Sequence, residues 1–445
     1  MNRAMWGKAL SLGLVGVALT GVLARIDWLV SERQQRQQEA REEVSAATAG
    51  EQRLGAPYLR RSCVERWTVV EQVEDERGRR ELRKPEQATR VLRLPAAHLT
   101  IAGDLQPQVL ERGLFKVNTY TAALNLSARW SAPALQDSLQ PKALQPGAEL
   151  QCGPLALVLQ VSDARGLRSV ALQLGGHALA PQPGALEPKA SGFHAELPPE
   201  LLPVLAAAPD SGRGLELVAR LELLGTDALH FQPAAAQFEA SLRSPWPHPS
   251  FQGRFLPVQR EVTEQGFSAQ WKLTELASDA AAALRAGEVH ADALGVALFD
   301  PVNPYSLSDR ALKYGFLFIA LTLGAVLLAE LLGRQRVHPV QYGFVGLALA
   351  LFFLLLLALS EHLPFGPAYL LAAAACSGLL AHYASSLFGH WRAGLGFGAG
   401  VGLLYAVLYL LLNLEKASLL VGSLLLFALL AAAMRATRDV DWHRS

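Results

Sequence analysis

Residues 341–359 read QYGFVGLALALFFLLLLAL, a run without a single charged side chain. A helix needs roughly 20 apolar residues to cross a bilayer, and its backbone must satisfy its own hydrogen bonds there. The run therefore predicts a membrane-spanning α-helix, and the rest of the chain has to be interpreted around it.

Five other apolar runs predict further spans, and they occupy residues 6–23, 314–332, 368–388, 395–412 and 417–434. Each approaches or reaches the length that a spanning helix needs. We therefore expect six transmembrane α-helices, one N-terminal anchor (1–23) and a C-terminal bundle of five (314–434). The first run could instead be a signal peptide, because Val22-Leu23-Ala24 offers small or tolerated residues where a signal peptidase could cut.

The composition argues against a purely soluble chain. Of the 445 residues, 51% are hydrophobic and 18% are charged, and the mean hydropathy is +0.21. Soluble domains carry about 25% charged residues. The formal net charge is only +1, so nothing favours binding to nucleic acid. The partner that the composition predicts is a lipid bilayer.

The distribution of arginine and lysine predicts the orientation. With the N-terminus in the cytoplasm, the inner loops and termini contain Arg3, Lys8, Arg334, Arg336, Arg392, Arg435, Arg438 and Arg444. The only charged residues in the short outer loops are Glu361, Glu415 and Lys416. Because positively charged loops stay cytoplasmic, we expect both termini, including the tail 435–445, to be cytoplasmic. Residues 24–313 then lie outside, which in a Gram-negative inner membrane is the periplasm.

The exported region changes character near residue 50. Residues 24–50 contain SERQQRQQEAREEVS at 31–45, which predicts a polar, solvated helical extension of the first span. Over 51–313, short apolar or alternating runs between Gly, Pro and Asp predict an antiparallel, sandwich-like β-rich domain. Its predicted strands are residues 67–73, 91–94, 115–130, 156–162, 169–174, 215–224, 237–243, 261–271 and 295–299. The poorly periodic, Pro-containing stretch 131–150 predicts a division into two lobes.

The three cysteines are Cys63, Cys152 and Cys376. The first two could form a disulfide in an oxidising compartment, but no sequence feature fixes the distance between them. The chain contains no CxxC motif and no Cys/His spacing typical of zinc, so we expect no metal. It also contains no HExxH, GxSxG or Walker A motif, so we predict no catalytic residue and no cofactor.

Glycines alternate through the start of the fifth predicted span at Gly394, Gly396, Gly398, Gly400 and Gly402. The spacing superficially contains GxGxxA, typical of phosphate binding, but it lies in an apolar segment. Three overlapping GxxxG pairs instead favour close packing between membrane helices.

Ionisable residues within the spans are the first candidates for function, because charges in lipid are expensive. Glu330 precedes Arg334 by four residues, which favours an ion pair at the interface over a proton relay. His382 lies deep in the fourth span, where an interhelical hydrogen bond is the favoured interpretation and a cavity the alternative. Glu361 and His362 are expected on the outer surface.

Long strings across the chain resemble the CreD family of inner-membrane proteins. The most extended is PWPHPSFQGRFLPVQREVTEQGFSAQW at 245–271, followed by VNPYSLSDRALKY at 302–314. The bundle contributes HPVQYGFVG at 338–346 and LLLLALSEH at 354–362. Shorter echoes are DARG at 163–166 and GEQRLGAP at 50–57, whereas RRSCVERW at 60–67 departs from the family's apolar, proline-containing strand.

The resemblance implies an uncleaved first span and a role in cell envelope integrity, without catalytic residues. We interpret the chain as a non-enzymatic interaction or scaffold module that engages periplasmic or envelope proteins through its β-rich domain. The alternative is a transporter that moves a lipid or small molecule through the bundle. The oligomeric state is left open, and a membrane-embedded enzyme is a third hypothesis, because catalytic residues can converge without a linear motif.

Ten residues are candidate functional or interface positions, namely Tyr305, Arg310, Lys313, Glu330, His338, Gln341, Tyr342, Glu361, His362 and His382. Each also has a structural interpretation. The basic residues can mark the membrane interface, the tyrosines suit an aromatic belt, and His338-Pro339 is typical of a helix start.

Overall fold

The computed structural model describes residues 3–75, 78–200, 214–288, 292–300, 303–333 and 337–413, with isolated positions beyond 419. The chain divides into two compact units. The helical unit comprises Met1–Glu39 and Pro301–Ser445, and the β unit comprises Ala40–Asp300. The structure thus contains several apolar helices and a large β-rich region, as predicted.

The helices of the described chain are α1 (Arg3–Ala47), α2 (Ala132–Leu139), α3 (Ala280–Ala286), α4 (Pro304–Lys313), α5 (Gly315–Gly333), α6 (Pro339–Ser360), α7 (Phe365–Phe388) and α8 (Trp391–Asn413). Within the described residues, α1, α6, α7 and α8 are each long and apolar enough to cross a bilayer. A bent pair, α4 with the start of α5, makes a fifth candidate, with 44° between its two parts. The predicted sixth span, 417–434, lies mostly outside the described residues.

The predicted domain boundary at residue 313 is wrong, because the preceding ten residues are helical. The side chain of Asn303 accepts a hydrogen bond from the Tyr305 backbone N–H, and Pro304 occupies the first turn of α4. Tyr305, Ser308 and Leu312 are buried on one face. This amphipathic helix belongs to the helical unit.

The predicted extension 24–50 is helical as far as Ala47, but the prediction that it is wholly solvated is wrong. Helix α1 continues without a break to Ala47, and the last helical residues lie in the β unit. Ala40 and Val44 are buried there, one turn apart. The extension therefore carries a short apolar stripe that its glutamine-rich composition concealed.

Aromatic side chains fill the middle of the helical unit. Phe352 of α6 is fully buried, and its ring centroid lies 4.1 Å from that of Tyr405 on α8. Edge-to-face contacts join the same ring to Tyr369 of α7 and to Phe353. In lipid the hydrophobic effect does not drive apolar helices together, so close packing of this kind has to hold them.

The strands of the β unit are β1 (Gln52–Leu54), β2 (Tyr58–Asp75), β3 (Gly78–Arg112), β4 (Phe115–Trp130), β5 (Glu149–Cys152), β6 (Ala156–Gln160), β7 (Leu167–Leu174), β8 (His177–Leu179), β9 (Gln182–Pro183), β10 (Gly192–Glu196), β11 (Leu215–Thr226), β12 (Ala228–Phe231), β13 (Ala235–Ser244), β14 (Pro249–Gly253), β15 (Gln259–Thr263), β16 (Gly266–Thr274) and β17 (Leu294–Leu298). They form a small sheet in the order β1-β12-β17-β14 and a large one around β8-β7-β11-β4-β3-β2-β6-β10-β9. Two pairings depart from the predicted antiparallel arrangement: β1 with β12 and β13 with β3 are parallel.

Most predicted strands match strands of the structure, and β4 has the predicted bounds. The predicted strand 261–271 is instead the hairpin β15–β16, with Glu264 and Gln265 in its turn. β2 begins nine residues before the predicted start at Trp67 and includes the divergent RRSCVERW segment. Strands β2 and β3 pair in continuous register from Tyr58↔Pro95 to Asp75↔Gly78.

The predicted division into two lobes near 131–150 is wrong. One core cluster collects buried residues from both sheets, including Leu54 and Val296 of the small sheet with Trp130 and Leu217 of the large one. The stretch 131–150 contains α2, whose Leu135 is buried in the same core. The region therefore closes over the core instead of separating two cores.

Cys63 and Cys152 are joined by a disulfide between β2 and β5. The two residues face each other in the antiparallel register, with Cα atoms 4.0 Å apart. Next to the bridge, the buried Glu65 carboxylate accepts hydrogen bonds from the Leu144 and Gln145 backbone N–H groups. Together these contacts attach the 140–152 segment to β2.

Candidate functional site

A polar cluster in the helical unit brings three of the quoted strings together. The Arg33 Nε of α1 lies 3.2 Å from the Glu361 Oε1 at the end of α6, and the Glu361 side chain is 10% exposed. The Tyr305 side chain is buried (3%), within electrostatic range of both charges. The Asn303 amide donates to Gln37, and Gln34 donates to the Tyr305 carbonyl. The charge at Glu361 is thus buried with a partner, as buried charges require.

Glu330 pairs with a tyrosine in the structure. The Tyr342 hydroxyl of α6 donates to the Glu330 carboxylate of α5 at 2.7 Å, and both side chains are buried. The predicted ion partner, Arg334, lies outside the described residues. A hydrogen bond between two apolar helices gives Glu330 a structural role that spacing along one helix does not reveal.

His338 and Gln341 form the N-terminal cap of α6. The His338 Nδ1 accepts from the Val340 backbone N–H, and the Gln341 Oε1 accepts from the His338 backbone N–H at 2.8 Å. Pro339 follows in the first turn. This reciprocal arrangement is a capping box, so both side chains satisfy helix-terminal donors.

The remaining candidates lie on the surface of the helical unit. Arg310, Lys313 and His362 are exposed, and Lys313 pairs with Asp309 at 2.8 Å. His382 is also exposed, and no described helix supplies it with an interhelical hydrogen bond. The interhelical hydrogen bond of His382 therefore stays a prediction, since most of the predicted span 417–434 lies outside the described residues.

Three of the five glycines lie at the α7–α8 interface. A Cβ on Gly394 would lie 2.5 Å from the Ala381 carbonyl oxygen, and one on Gly398 would lie 2.5 Å from the Ala381 Cβ. Gly402 faces the Ser377 Oγ at 3.7 Å, whereas Gly396 and Gly400 have no described atom within 4 Å. Two residues correspond to about 200° around a helix, which explains the alternation.

In the β unit, two quoted strings meet where α1 ends. From DARG, the Asp163 carboxylate accepts from the Gly50 backbone N–H, and Arg165 donates to the carbonyls of Ala46 and Ser45. The buried Gln52 side chain donates to the carbonyls of Asp163 and Leu224, both at 3.0 Å. Arg165 therefore satisfies carbonyl groups left over at the C-terminus of α1.

The last residue of DARG has to be glycine. A Cβ on Gly166 would lie 2.2 Å from the Leu224 carbonyl oxygen and 2.4 Å from the Gln52 Nε2. Such distances are incompatible with a side chain, so the turn can approach β11 and Gln52 only as glycine.

We call the Asp163 carboxylate with its partners Gly50 and Arg165 the Asp163 clamp. We expect this clamp to contribute stability that is lost in acid. Hydrogen bonds from Arg165 lower the pKa of the Asp163 carboxyl from 3.8 to about 2, although partial burial opposes the shift. A carboxyl with a depressed folded-state pKa stabilises above its unfolded value and loses this effect as the pH falls from about 4 to 2. After allowance for the exposed Arg165, Asp163→Asn should cost about 1–2 kcal/mol at pH 7.

The check is the free energy of unfolding of wild type and Asp163→Asn, measured against pH in the full-length protein. The gap should shrink below pH ~4 and vanish near pH 2. A gap that stayed constant down to pH ~2 would mean that the carboxylate charge is not what stabilises the clamp.

A cleft of about 610 Å³ opens in the β unit. Its polar lining comprises Arg53, Tyr58, Arg93, Gln160, Ser162, Glu187, Lys189, Ser191, Gln232 and Glu288. Apolar lining comes from Val161, Ala234, Ala280 and Leu284. The volume suits a small molecule, since ligand sites commonly measure about 300–1,000 Å³.

An Arg–Glu–Arg triad builds one wall of the cleft. The Arg93 guanidinium donates two hydrogen bonds to the Glu187 carboxylate, from Nε at 2.7 Å and from Nη2 at 2.8 Å. The Arg60 Nε donates a third at 3.1 Å. The three side chains are 13–17% exposed. Although burial raises the pKa of Glu187, hydrogen bonds and charge from Arg93 and Arg60 keep it below its ordinary value. The carboxylate therefore stays ionised at neutral pH.

Sequence reasoning missed this triad and Arg33. Arg93 and Arg60 lie 94 and 127 residues before Glu187 in the chain. Arg60 belongs to the quoted string RRSCVERW, but Arg93 and Glu187 belong to no quoted string. Only tertiary structure brings the three side chains together. Within the described residues, no group of three or more His, Cys, Asp or Glu side chains is placed to hold a metal ion.

Comparison with known proteins identifies the family. The model of the family described as "Inner membrane protein CreD" matches residues 4–443. The chain is also 32% identical over 447 residues to the Inner membrane protein CreD of Escherichia coli (strain K12), covering 98% of this chain and 93% of that protein. A match of this extent runs through both the helical and the β unit. The chain therefore belongs to the CreD family of inner membrane proteins.

Proposed function

We propose that this protein contributes to cell envelope integrity from the inner membrane, with its β unit in the periplasm acting as a non-enzymatic interaction module. The proposal includes six spans and cytoplasmic termini, as the charge distribution predicts. It accords with the name of the relative, which places that protein in the inner membrane.

The observation that carries the periplasmic placement is the disulfide between Cys63 and Cys152. Disulfides persist in oxidising compartments such as the periplasm and are rare in the reducing cytosol. The bridge joins β2 to β5, so it belongs to the β unit. If the β unit faced the cytoplasm, the reducing environment there would keep these two cysteines as free thiols.

The interaction role rests on the architecture of the β unit. It has its own extensive core, and its surface displays large apolar side chains such as Leu256, Val258 and Leu276 (62%, 67% and 96% exposed). Exposed apolar side chains in a secreted domain favour contact with another surface when they cluster. A domain of this size with its own core can present a stable surface to a partner.

We expect site-specific photo-crosslinkers at Leu256 or Leu276 to capture a reproducible envelope protein in living cells. The same positions should be tested with Glu330→Gln and His382→Ala in the helical unit, and a crosslinker at the cytoplasm-facing Arg392 serves as a control. Capture that survives both substitutions supports the interaction module. Absence of a reproducible partner at all β-unit positions would contradict it.

The alternative is transport of a lipid or small molecule through the helical unit. The observation that favours it is the buried Glu330 carboxylate between apolar helices. Loss of capture together with an altered lipid distribution in Glu330→Gln cells would support transport and overturn the interaction module.

A further inference from the structure

The segment that borders the cleft is held in an unfavourable backbone conformation. Leu186 and Lys189 both have left-handed backbones, with φ of 57° and 61°. Side chains other than Gly, Asn and Asp rarely adopt this region, and such residues concentrate at functional sites. Glu187 lies between them, and its contacts to Arg60 and Arg93 hold the segment in place. The structure therefore fixes the position of Lys189 at the rim of the cleft.

Two cations of the cleft lack an anionic partner in the described part of the chain. Arg93 is occupied by Glu187, whereas neither Arg53 nor Lys189 lies within 4.0 Å of a described carboxylate. Both are exposed and line the same cleft. An arginine fork and a lysine ammonium at one concave site match the oxygens of a carboxylate or phosphate group.

The floor of the cleft offers neutral hydrogen-bonding groups. The Tyr58 hydroxyl accepts from the Gln160 Nε2 at 3.1 Å, which leaves its own proton for donation. Burial raises the pKa of Tyr58 to about 12, so the hydroxyl is a donor at neutral pH. Ser162, Ser191 and Gln160 add hydroxyl and amide groups around it. Such groups recognise hydroxyls better than hydrocarbon.

We propose that this cleft binds a small, hydroxyl-rich molecule that carries a carboxylate or phosphate, with Arg53 and Lys189 contacting the anionic group. The ligand is a free solute or the headgroup of an anionic lipid, which share this chemistry. Glu288 at the same cleft opposes anions, so it limits the charge that the site accepts. Binding does not depend on the compartment of the β unit, so its failure and that of the proposed function are distinguishable.

The test is isothermal titration of the full-length protein in nanodiscs of phosphatidylcholine. D-glucose 1-phosphate and D-glucuronate should bind with Kd on the order of 1 mM or tighter, whereas D-glucose should bind at least tenfold more weakly. The double substitution Arg53→Gln/Lys189→Gln should weaken the anions about tenfold, and Glu288→Gln should strengthen them severalfold.

A charge-matched control is Arg129→Gln/Lys272→Gln, since both residues are exposed, pair with Glu216 and Glu239 on strand faces and do not line the cleft. It should change the affinity less than twofold. Nanodiscs with phosphatidylglycerol distinguish the source: competition with glucose 1-phosphate indicates a lipid headgroup, and no competition indicates a solute. Equal affinity for glucose, no binding of either anion, or an equal loss in the control would each overturn the proposal.

Discussion

Glu187→Gln is expected to lower the free energy of unfolding of the β unit by about 2–4 kcal/mol. The substitution keeps the shape of the side chain but removes the negative charge that Arg60 and Arg93 share. Removing one partner of a buried ion pair is costly because the remaining charge stays desolvated. Two arginines that are 15–17% exposed would be left without a counter-ion.

The measurement is urea unfolding of the full-length protein in nanodiscs, followed by circular dichroism, together with limited proteolysis. Because the triad holds the strained residues Leu186 and Lys189, cleavage near 186–191 should accelerate before global unfolding. The control is Glu239→Gln, whose carboxylate pairs with Lys272 at 3.0 Å on an exposed surface. That variant should lose less than about 1 kcal/mol. Equal losses in the two variants would show that the triad does not stabilise the cleft wall.

Gly398→Leu is expected to disrupt the packing of α7 against α8 at a cost of about 3 kcal/mol or more. A Cβ there would lie 2.5 Å from the Ala381 Cβ and 3.1 Å from the Ser377 carbonyl oxygen, so the helices would have to move apart. Overpacking of a rigid contact typically costs about 1–3 kcal/mol, and a full leucine exceeds one added methyl group. The separation would also weaken the contact between Phe352 and Tyr405.

The matched control on the same helix is Gly400→Leu, since no described atom lies within 4 Å of its added Cβ. Leucine favours helix more than glycine does, so this variant should be at least as stable as wild type. The measurement is unfolding in SDS, monitored by the intensity of the helical circular dichroism signal. If Gly400→Leu lost as much stability as Gly398→Leu, close approach at the α7–α8 interface would not explain the glycine pattern.

Local features were predictable because their cause is local. An apolar run long enough to span predicts its helix, and alternation predicted β4 with its bounds. Proline after His338 predicted the start of α6. The helix α4 was missed because it is short and carries many polar residues. Its buried residues recur at the spacing of a helix, but they form no continuous apolar run.

Features that depend on tertiary contacts were not predictable. The exposed position of His382 is one of them, because an almost uniformly apolar helix gives no signal for the direction in which each residue points. Tyr342 and Glu330 were each singled out, but only the pairing of α5 with α6 shows that they share a hydrogen bond. The same holds for DARG and GEQRLGAP, which meet through Asp163 and Gly50 at a separation of 113 residues.

The parallel pairing of β1 with β12 constrains the order in which the β unit assembles during synthesis. Gln52 pairs with Leu229, and β12 in turn pairs with β17, so the small sheet needs residues up to Leu298. A chain that emerges from its N-terminus must hold β1 without its partner strand β12 while about 175 further residues follow, since contacts distant in sequence form late. Cys63 and Cys152 are both present much earlier. The disulfide, whose cysteines are 89 residues apart, can therefore close its loop before the small sheet exists.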